Sequence, residues 1–116
     1  MLTVGLVGAG RIGRIHANTI VQYDGSQLVA VADSVDENAK NLAKTYGVNP
    51  TSVDRIFNDN SIEAILIASS TDTHSDFIEK ASKAGKAILC EKPVDLSLAR
   101  AKRCLENTKS NEHAIM

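Results

Sequence analysis

The chain has 116 residues, with 13 basic and 14 acidic side chains and a formal net charge of −1. Its length fits one domain around a single core, and 43% hydrophobic and 23% charged residues are typical of a globular domain. The small net charge, the aromatic content of 3% and the lack of Trp argue against nucleic acid or an anionic membrane as partner.

Cysteine and histidine usage limits the redox and metal chemistry. Cys90 and Cys104 have no metal-like spacing, and free thiols in a reducing cytoplasm are expected rather than a disulfide. His16, His74 and His113 are scattered, so no metal site is predicted. No apolar run could span a bilayer and residues 1–13 lack a signal-peptide pattern, so we expect a cytoplasmic protein with no membrane partner.

The first predicted strand, about residues 2–7, runs into a glycine-rich turn that opens a helix. Gly8, Gly10 and Gly13 form the pattern G-x-G-x-x-G. Gly8 would allow the tight turn, Gly10 would let a pyrophosphate approach the backbone, and Gly13 would let the helix pack on the sheet. The free amides of the first helical turn, at Arg11 and Ile12, would face the phosphates. The motif therefore predicts dinucleotide binding, the alternative being a tight turn without a ligand.

The first helix carries a stripe that we expect to be buried. Its members recur at helical spacing: Ile12, Ile15, His16, Thr19 and Ile20. His16 is either a hydrogen-bonded residue between helix and sheet or a ligand or proton carrier.

The second predicted strand, residues 28–32, ends at Asp33, 20 residues after Gly13. An acid at this offset is expected to accept hydrogen bonds from an adenosine ribose. Asp33 would repel a 2′-phosphate, and Ser34 and Val35 offer no cation, so NAD is predicted over NADP. Alternatively, Asp33 merely ends a strand; a Rossmann-type methyltransferase would also carry an acid here, but with a different glycine loop.

The middle of the chain alternates short elements. Ser34 to Glu37 reads as a capping box for a helix that ends at Gly47. Its buried face is predicted at Ala39, Leu42, Ala43 and Tyr46. Residues 49–51 permit only a very short third strand, and residues 51–54 can cap a short helix carrying Val53, Ile56 and Phe57.

Residues 64–68 form a continuous apolar run, which predicts a strand buried on both faces of a parallel sheet. Ser69, Ser70 and Thr71 follow it. Residues 73–76 are expected to cap the next helix, which Gly85 ends. Its packing face is predicted at Phe77, Ile78, Ala81 and Ala84.

The fifth strand is predicted at residues 87–90, and Glu91, Lys92 and Pro93 follow it. A helix is expected to begin near Asp95. Its face is predicted at Leu98, Ala101, Lys102 and Leu105. Residues 113–116 read as the start of a sixth strand.

This alternation predicts an α/β fold, a Rossmann-type doubly wound parallel sheet with strand order 3-2-1-4-5-6, over one dinucleotide-binding domain at residues 1–116. Ending within a strand pattern suggests a fragment, although a naturally short chain would look the same.

Four segments are expected to meet at the carboxyl edge of that sheet: residues 8–13, Asp33, residues 69–74 and residues 91–93. Lys92 in a partly desolvated cleft could bind a substrate hydroxyl and help to move its proton, or be a solvated lysine before a turn proline. His74 could donate to the cofactor or help to cap its helix. Ser69, Ser70 and Glu91 are the other candidate cofactor contacts here.

The same residues resemble those of a known family. The glycine motif, Asp33, residues 71–74 (Thr-Asp-Thr-His) and above all residues 90–93 (Cys-Glu-Lys-Pro) are similar to the amino-terminal domain of the glucose–fructose oxidoreductase/inositol dehydrogenase/MocA family. The resemblance spans essentially the whole chain and is closest to the inositol 2-dehydrogenases.

The resemblance implies NAD(P)-dependent oxidation of a secondary hydroxyl on a cyclic polyol or sugar, with Lys92 at the reacting hydroxyl and a cis bond before Pro93. It also implies a carboxyl-terminal domain, absent from this sequence, that supplies a catalytic Asp and His, most of the substrate pocket and a homo-oligomer interface. The chain alone should then bind the cofactor without turnover. The alternative is a stand-alone nucleotide-sensing or interaction module with no catalysis.

Overall fold

A computed structural model of the chain describes residues 1–91 and 97–108, in which strands and helices alternate. The elements are β1 (Leu2–Val7), α1 (Arg11–Gln22), β2 (Ser26–Ala32), α2 (Asp36–Tyr46), β3 (Asn49–Pro50), α3 (Val53–Asn58), β4 (Ala64–Ile67), α4 (Thr71–Lys83), β5 (Ala87–Cys90) and α5 (Leu98–Asn107). The five strands pair in parallel in the order β3-β2-β1-β4-β5. The predicted Rossmann-type order is therefore confirmed over these strands, and the predicted sixth strand at 113–116 lies outside the described residues.

The sheet separates two apolar cores. On one face, α1 and α2 cover β1 and β2 through residues such as Ala17, Ile20 and Leu42. On the other face, Ile56, Ile78 and other residues of α3, α4 and α5 cover alternate side chains of the same sheet. Two covered faces account for the nearly continuous apolar strands, as expected for a parallel sheet.

Several predicted helix ends are confirmed. Gly47 adopts a left-handed conformation with φ of 67° after α2, which lets the chain turn away. The Ser52 side chain accepts a hydrogen bond from the Arg55 amide and caps α3. The capping box at residues 34–37 is wrong: Val35 precedes α2 and no side chain caps the helix.

The predicted cap of α4 is also wrong. The helix begins at Thr71, after Ser70, two residues before the expected start at Thr73. His74, Ser75, Ile78 and Ala81 are its buried residues, so Ile78 and Ala81 were predicted correctly. Phe77 packs only partly against the core, and Ala84 is exposed because the helix has ended there.

The predicted buried stripe of α1 is wrong except at Ile20. Gly13, Ala17 and Ile20 face the sheet, whereas Ile12 and Ile15 are 46% and 54% exposed. The helix turns its small residues inwards because its backbone crosses β1 at close range. His16 lies at the edge of the buried face.

The predicted face of α5 is wrong as well. Leu98 and Leu105 are exposed, and Cys104 is the buried helical residue. Arg100 pairs with Glu79 and Asp76 of α4, and this fixes which side of α5 faces α4. The helix begins at Leu98 after a Ser97 cap, while the expected start near Asp95 lies outside the described residues.

Among the described helices, the longest has 13 residues, and none has the length and apolarity needed to cross a membrane. Neither Cys90 nor Cys104 is in a disulfide.

Candidate functional site

A cleft of about 270 Å³ opens at the carboxyl edge of the sheet, between the ends of β1, β2 and β4. Three of the four segments expected at this edge contribute to it: the glycine turn, Asp33 and the turn after β4. Its walls are Val7, Gly8, Gly10, Asp33, Ser34, Val53, Ala68, Ser69, Ser70, Thr73 and Phe77. Parallel strands bring these distant segments together because their carboxyl ends share one edge.

The glycine turn is held by two constraints that sequence reasoning anticipated. Gly8 has φ of 107°, and a Cβ atom there would lie 2.5 Å from the Ala68 carbonyl carbon. At Gly13 a Cβ atom would overlap the carbonyl oxygen of Gly8, so α1 can cross β1 only with glycine at this position. Both residues are therefore required by the fold itself, as expected.

Gly10 differs from these two residues. Its φ of −80° suits any amino acid, and a Cβ atom built there would meet nothing within 4 Å. It immediately precedes α1 and offers no side chain to cap it. Neither backbone strain nor packing within the chain explains a glycine here, and Gly10 lines the cleft beside the first amides of α1 at Arg11 and Ile12, whose residues are exposed.

Asp33 ties two turns together beneath the cleft. Its Oδ2 atom accepts a hydrogen bond of 2.6 Å from the Ala9 amide, and Oδ1 accepts one of 2.8 Å from the Val35 amide. These bonds fix the carboxylate next to the glycine turn. Each carboxylate oxygen has a further lone pair that a ligand hydroxyl can use.

The turn after β4 places hydroxyl groups along the opposite wall. The Thr73 hydroxyl donates to the Ser70 carbonyl oxygen at 2.6 Å and lies 2.7 Å from the Ser69 hydroxyl. His74 is 2% exposed, and its Nε2 donates to the Ser69 carbonyl oxygen at 2.9 Å. His74 thus supports the turn from beneath rather than lining the cleft, and its role as a cofactor contact stays a prediction.

Six lining residues were not among the predicted cofactor contacts, although Thr73 lies in the 69–74 segment expected at this edge: Val7, Ser34, Val53, Ala68, Thr73 and Phe77. Thr73 was assigned to a helix cap, and Val53 and Phe77 to packing faces of short amphipathic patterns. Each of these patterns is equally typical of core residues. The one available signal was the position of Thr73, four residues after the first hydroxyl that follows a buried strand.

Glu91 extends from the end of β5 to α1, where its Oε1 atom contacts Nε2 of His16. The two side chains are 37% and 26% exposed. His16 is thus hydrogen-bonded between helix and sheet, which was one of its two predicted roles. The contact also links the start of the 91–93 segment to α1. Lys92 and Pro93 lie outside the described residues, and with them the predicted catalytic role and the cis bond.

The thiol of Cys90, next to Glu91, is expected to be unreactive at neutral pH. Burial, with smaller contributions from Cys104 and Glu91, raises the pKa of Cys90 to about 12. Within residues 1–91 and 97–108 no three His, Cys, Asp or Glu side chains come close enough to hold a metal ion.

The comparison with known families matches almost the whole chain. Residues 2–116 fit the family described as "Oxidoreductase family, NAD-binding Rossmann fold", the glucose–fructose oxidoreductase/inositol dehydrogenase/MocA family. The chain belongs to this family. It is accordingly an NAD-binding Rossmann domain of an oxidoreductase family, in agreement with the predicted dinucleotide-binding fold.

The chain is similar to individual members of this family over nearly its whole length. An inositol 2-dehydrogenase of Rhizobium meliloti is 42% identical over 97% of this chain and 34% of its own length. The structure of a myo-inositol dehydrogenase from Corynebacterium glutamicum is 37% identical, with a TM-score of 0.92 over all of this chain and 35% of that one. A Synechocystis biliverdin reductase, in complex with biliverdin and NADP+, is 30% identical with a TM-score of 0.91 over 98% of this chain and 36% of its own. The chain thus spans about a third of the relatives that it matches, and they differ in what they bind.

Proposed function

We propose that this chain holds NAD in the cleft between β1, β2 and β4, as the cofactor domain of a dehydrogenase that oxidises a secondary hydroxyl of a cyclic polyol or sugar. Inositol is the proposed substrate, because the relatives named inositol dehydrogenases are 42% and 37% identical to this chain. Bound NAD would supply the hydride acceptor. The residues of the chain would bind and orient the cofactor and the reacting hydroxyl.

Gly10 is the observation that carries the proposal. It is a glycine with ordinary φ and empty space where its side chain would be, at the start of a 12-residue helix. Amides at a helix start attract phosphate groups, and a side chain at Gly10 would fill the space that a pyrophosphate needs. Packing within the chain does not require glycine at position 10, whereas a bound pyrophosphate would.

The other groups divide the cofactor between them. Gly8 and Gly13 shape the turn, and the amides of Arg11 and Ile12 bind phosphate. Asp33 accepts hydrogen bonds from the adenosine ribose.

The remaining contacts lie at the turns after β4 and β5. Ser69 and Ser70 line the cleft after β4, with His74 holding the Ser69 carbonyl oxygen. Glu91 is proposed as a cofactor contact at the end of β5.

NAD is proposed over NADP on the charge of the cleft. Asp33 is the sole charged residue among the described residues that line it. A 2′-phosphate placed at the ribose would meet this carboxylate with no lysine or arginine from the lining residues to offset it.

Lys92 is proposed to hold the reacting hydroxyl and to help move its proton. The rest of the substrate pocket, the partner Asp and His and a homo-oligomer contact are proposed to come from polypeptide outside this third of the relatives' length. The chain alone is then expected to bind NAD without turnover, in the cytoplasm.

Isothermal titration of the 116-residue chain with NAD and with NADP tests the cofactor assignment. The decisive variant is Gly10→Asp, since Asp is a good residue before a helix and should leave the fold intact while repelling a pyrophosphate. We expect unchanged thermal stability and NAD affinity lowered ~100-fold, equivalent to about 2.7 kcal/mol. Equal NAD affinity in both proteins would refute a phosphate site at this turn.

The reaction itself is tested on the longer protein. Lys92→Ala should abolish polyol oxidation while NAD affinity stays within about twofold. If Lys92→Ala lost NAD binding together with turnover, the proposed role of Lys92 at the reacting hydroxyl would be refuted. NAD binding without any oxidation by the unsubstituted protein would favour a nucleotide-sensing module.

A further inference from the structure

One apolar part of the sheet is bare in the described structure. On the face that α1 and α2 occupy, a cleft of about 250 Å³ lies between α1 and β5. Its floor includes Ala64 and Ala87, and Leu89 and Tyr23 stand at its margins with 40% and 67% of their surface exposed. We refer to this surface, lined also by Leu2 and Val4, as the β5 trough.

The topology leaves the trough open. Right-handed crossovers from β1 to β2 and from β2 to β3 place α1 and α2 on one face, over the first half of the sheet. The return to β4 and the step to β5 place the next helices on the opposite face, where Ile78 and Cys104 pack against Ile65 and Ile88. Alternation along β5 then directs Leu89 to the face of α1 and α2, beyond the part of the sheet that these two helices cover.

The neighbouring flank of α1 is suited to the same contact. Ile20 of α1 and Tyr23, which follows the helix, line the trough from this side. The contact between His16 and Glu91 ties α1 to the end of β5 at the carboxyl edge of the sheet.

We infer that the β5 trough is the seat of an amphipathic helix supplied by the polypeptide outside the matched third of the longer relatives. Helices pack on sheets through apolar stripes, and small floor residues such as Ala64 and Ala87 allow a close approach. The relatives carry about twice as much chain again as the part matched here, which is ample to supply this helix.

A second copy of this chain is the less suitable occupant. A twofold contact would bring two identical concave surfaces together, and two hollows facing each other leave an unfilled void. A convex helix fills the hollow instead. The inference rests on the bare sheet face and does not depend on cofactor binding.

Thiol labelling at position 89 tests the inference. Leu89→Cys is made in the 116-residue chain and in the protein translated to its own stop codon, with Val21→Cys as the matched control. Val21 is 46% exposed on another flank of α1. The native thiols give little background, since Cys104 is buried and the pKa of Cys90 is about 12. Circular dichroism checks that both variants fold.

We expect Leu89→Cys to react at least tenfold more slowly with maleimide in the longer protein, and Val21→Cys to change less than twofold. Sedimentation equilibrium should show a monomeric 116-residue chain. Equal labelling of Leu89→Cys in both proteins would overturn the inference, as would a gene that stops at codon 116. A dimeric 116-residue chain that Leu89→Glu converts to monomers would assign the trough to a second copy.

Discussion

The carbonyl oxygen of Gly8 occupies the space into which a side chain at Gly13 would project. The end of β1 and the first turn of α1 therefore touch through their backbones. This contact sets the angle at which α1 leaves the sheet and directs its first amides towards the cleft.

The first prediction separates the glycines that serve the fold from the glycine that serves the ligand. Gly13→Ala should lower the free energy of unfolding by about 3 kcal/mol, because backbone must move to admit the methyl group. Gly10→Ala should cost about 1 kcal/mol or less, since it only replaces a better residue before the helix. Urea unfolding of both variants measures this. Equal losses would contradict the assignment of the two roles.

The fold could be predicted because its signals are local. Apolar runs, glycines at turns and an acid after β2 each report a strand end, and parallel topology follows from their alternation. The glycine turn and Asp33 lie where predicted for the same reason.

The helix faces could not be predicted equally well. Periodicity identifies the apolar side of a helix, but it does not say which apolar residues the rest of the protein covers. In α1 the small Gly13 and Ala17 face the sheet, and Ile12 is left for a surface that the described residues do not cover. In α5 the ion pair between Arg100 and Glu79 of α4 orients the helix, and Leu98 is left exposed. Tertiary contacts decided both cases.

The second prediction concerns cofactor choice at Asp33. Asp33→Asn removes the charge that opposes a 2′-phosphate, so the ratio of NAD to NADP affinity should fall by about tenfold, or 1.4 kcal/mol. The amide keeps one oxygen for the Ala9 or Val35 amide, whereas Asp33→Ala keeps neither. Asp33→Ala should therefore also lose more stability. Calorimetric titration with both dinucleotides measures the ratio, and an unchanged ratio would count against a ribose contact.

The third prediction is a pH-dependent contact between α4 and α5. Hydrogen bonds from Arg100 hold the pKa of Glu79 below its ordinary value, with burial opposing the shift. Because the pKa of Glu79 is lower in the folded chain, its ionised carboxylate stabilises the fold fully above the unfolded-state pKa of about 4.3. This stabilisation is lost as the pH falls through the folded-state pKa.

Glu79→Gln should accordingly lower the free energy of unfolding by about 1 kcal/mol at pH 7, since the side chains of Glu79 and Arg100 are only partly exposed. The difference from the parent chain should shrink as the pH falls below about 4.3 and through the folded-state pKa of Glu79. Lys40→Met, at an exposed site on α2, is the control and should show no such trend. Chemical unfolding at several pH values gives the comparison, and a pH-independent cost would show that the ionised pair contributes nothing.

The fourth prediction concerns the Cys90 thiol, whose pKa burial raises to about 12. Only the thiolate reacts with iodoacetamide, so the alkylation rate should rise about tenfold per pH unit from 7 to 10. A free cysteine levels off above about pH 8.5. Mass spectrometry of the Cys104→Ser variant isolates the Cys90 rate, with circular dichroism confirming the fold at each pH. A plateau near pH 9 would contradict the buried thiol.

The last prediction concerns Lys86, which is 5% exposed just before β5. Its ammonium donates to the carbonyl oxygens of Asp59 and Ile62, both at 2.7 Å, and so fastens the loop before β4. Lys86→Met should lower the free energy of unfolding by about 2 kcal/mol, since two carbonyl groups lose a donor. Exposed Lys40→Met should stay within about 0.5 kcal/mol of the parent chain.

The cost of Lys86→Met should also depend on pH. Burial lowers the pKa of Lys86, with nearby Asp59 opposing the shift. Between the folded-state and unfolded-state pKa values the unfolded chain binds more protons, so the contribution of Lys86 to stability rises with pH. The neutral amine still has two N–H groups for the two carbonyl oxygens. Urea unfolding at pH 7 and pH 10 should therefore show a larger cost at pH 10, and a smaller one would mean that the charge of Lys86 stabilises the loop.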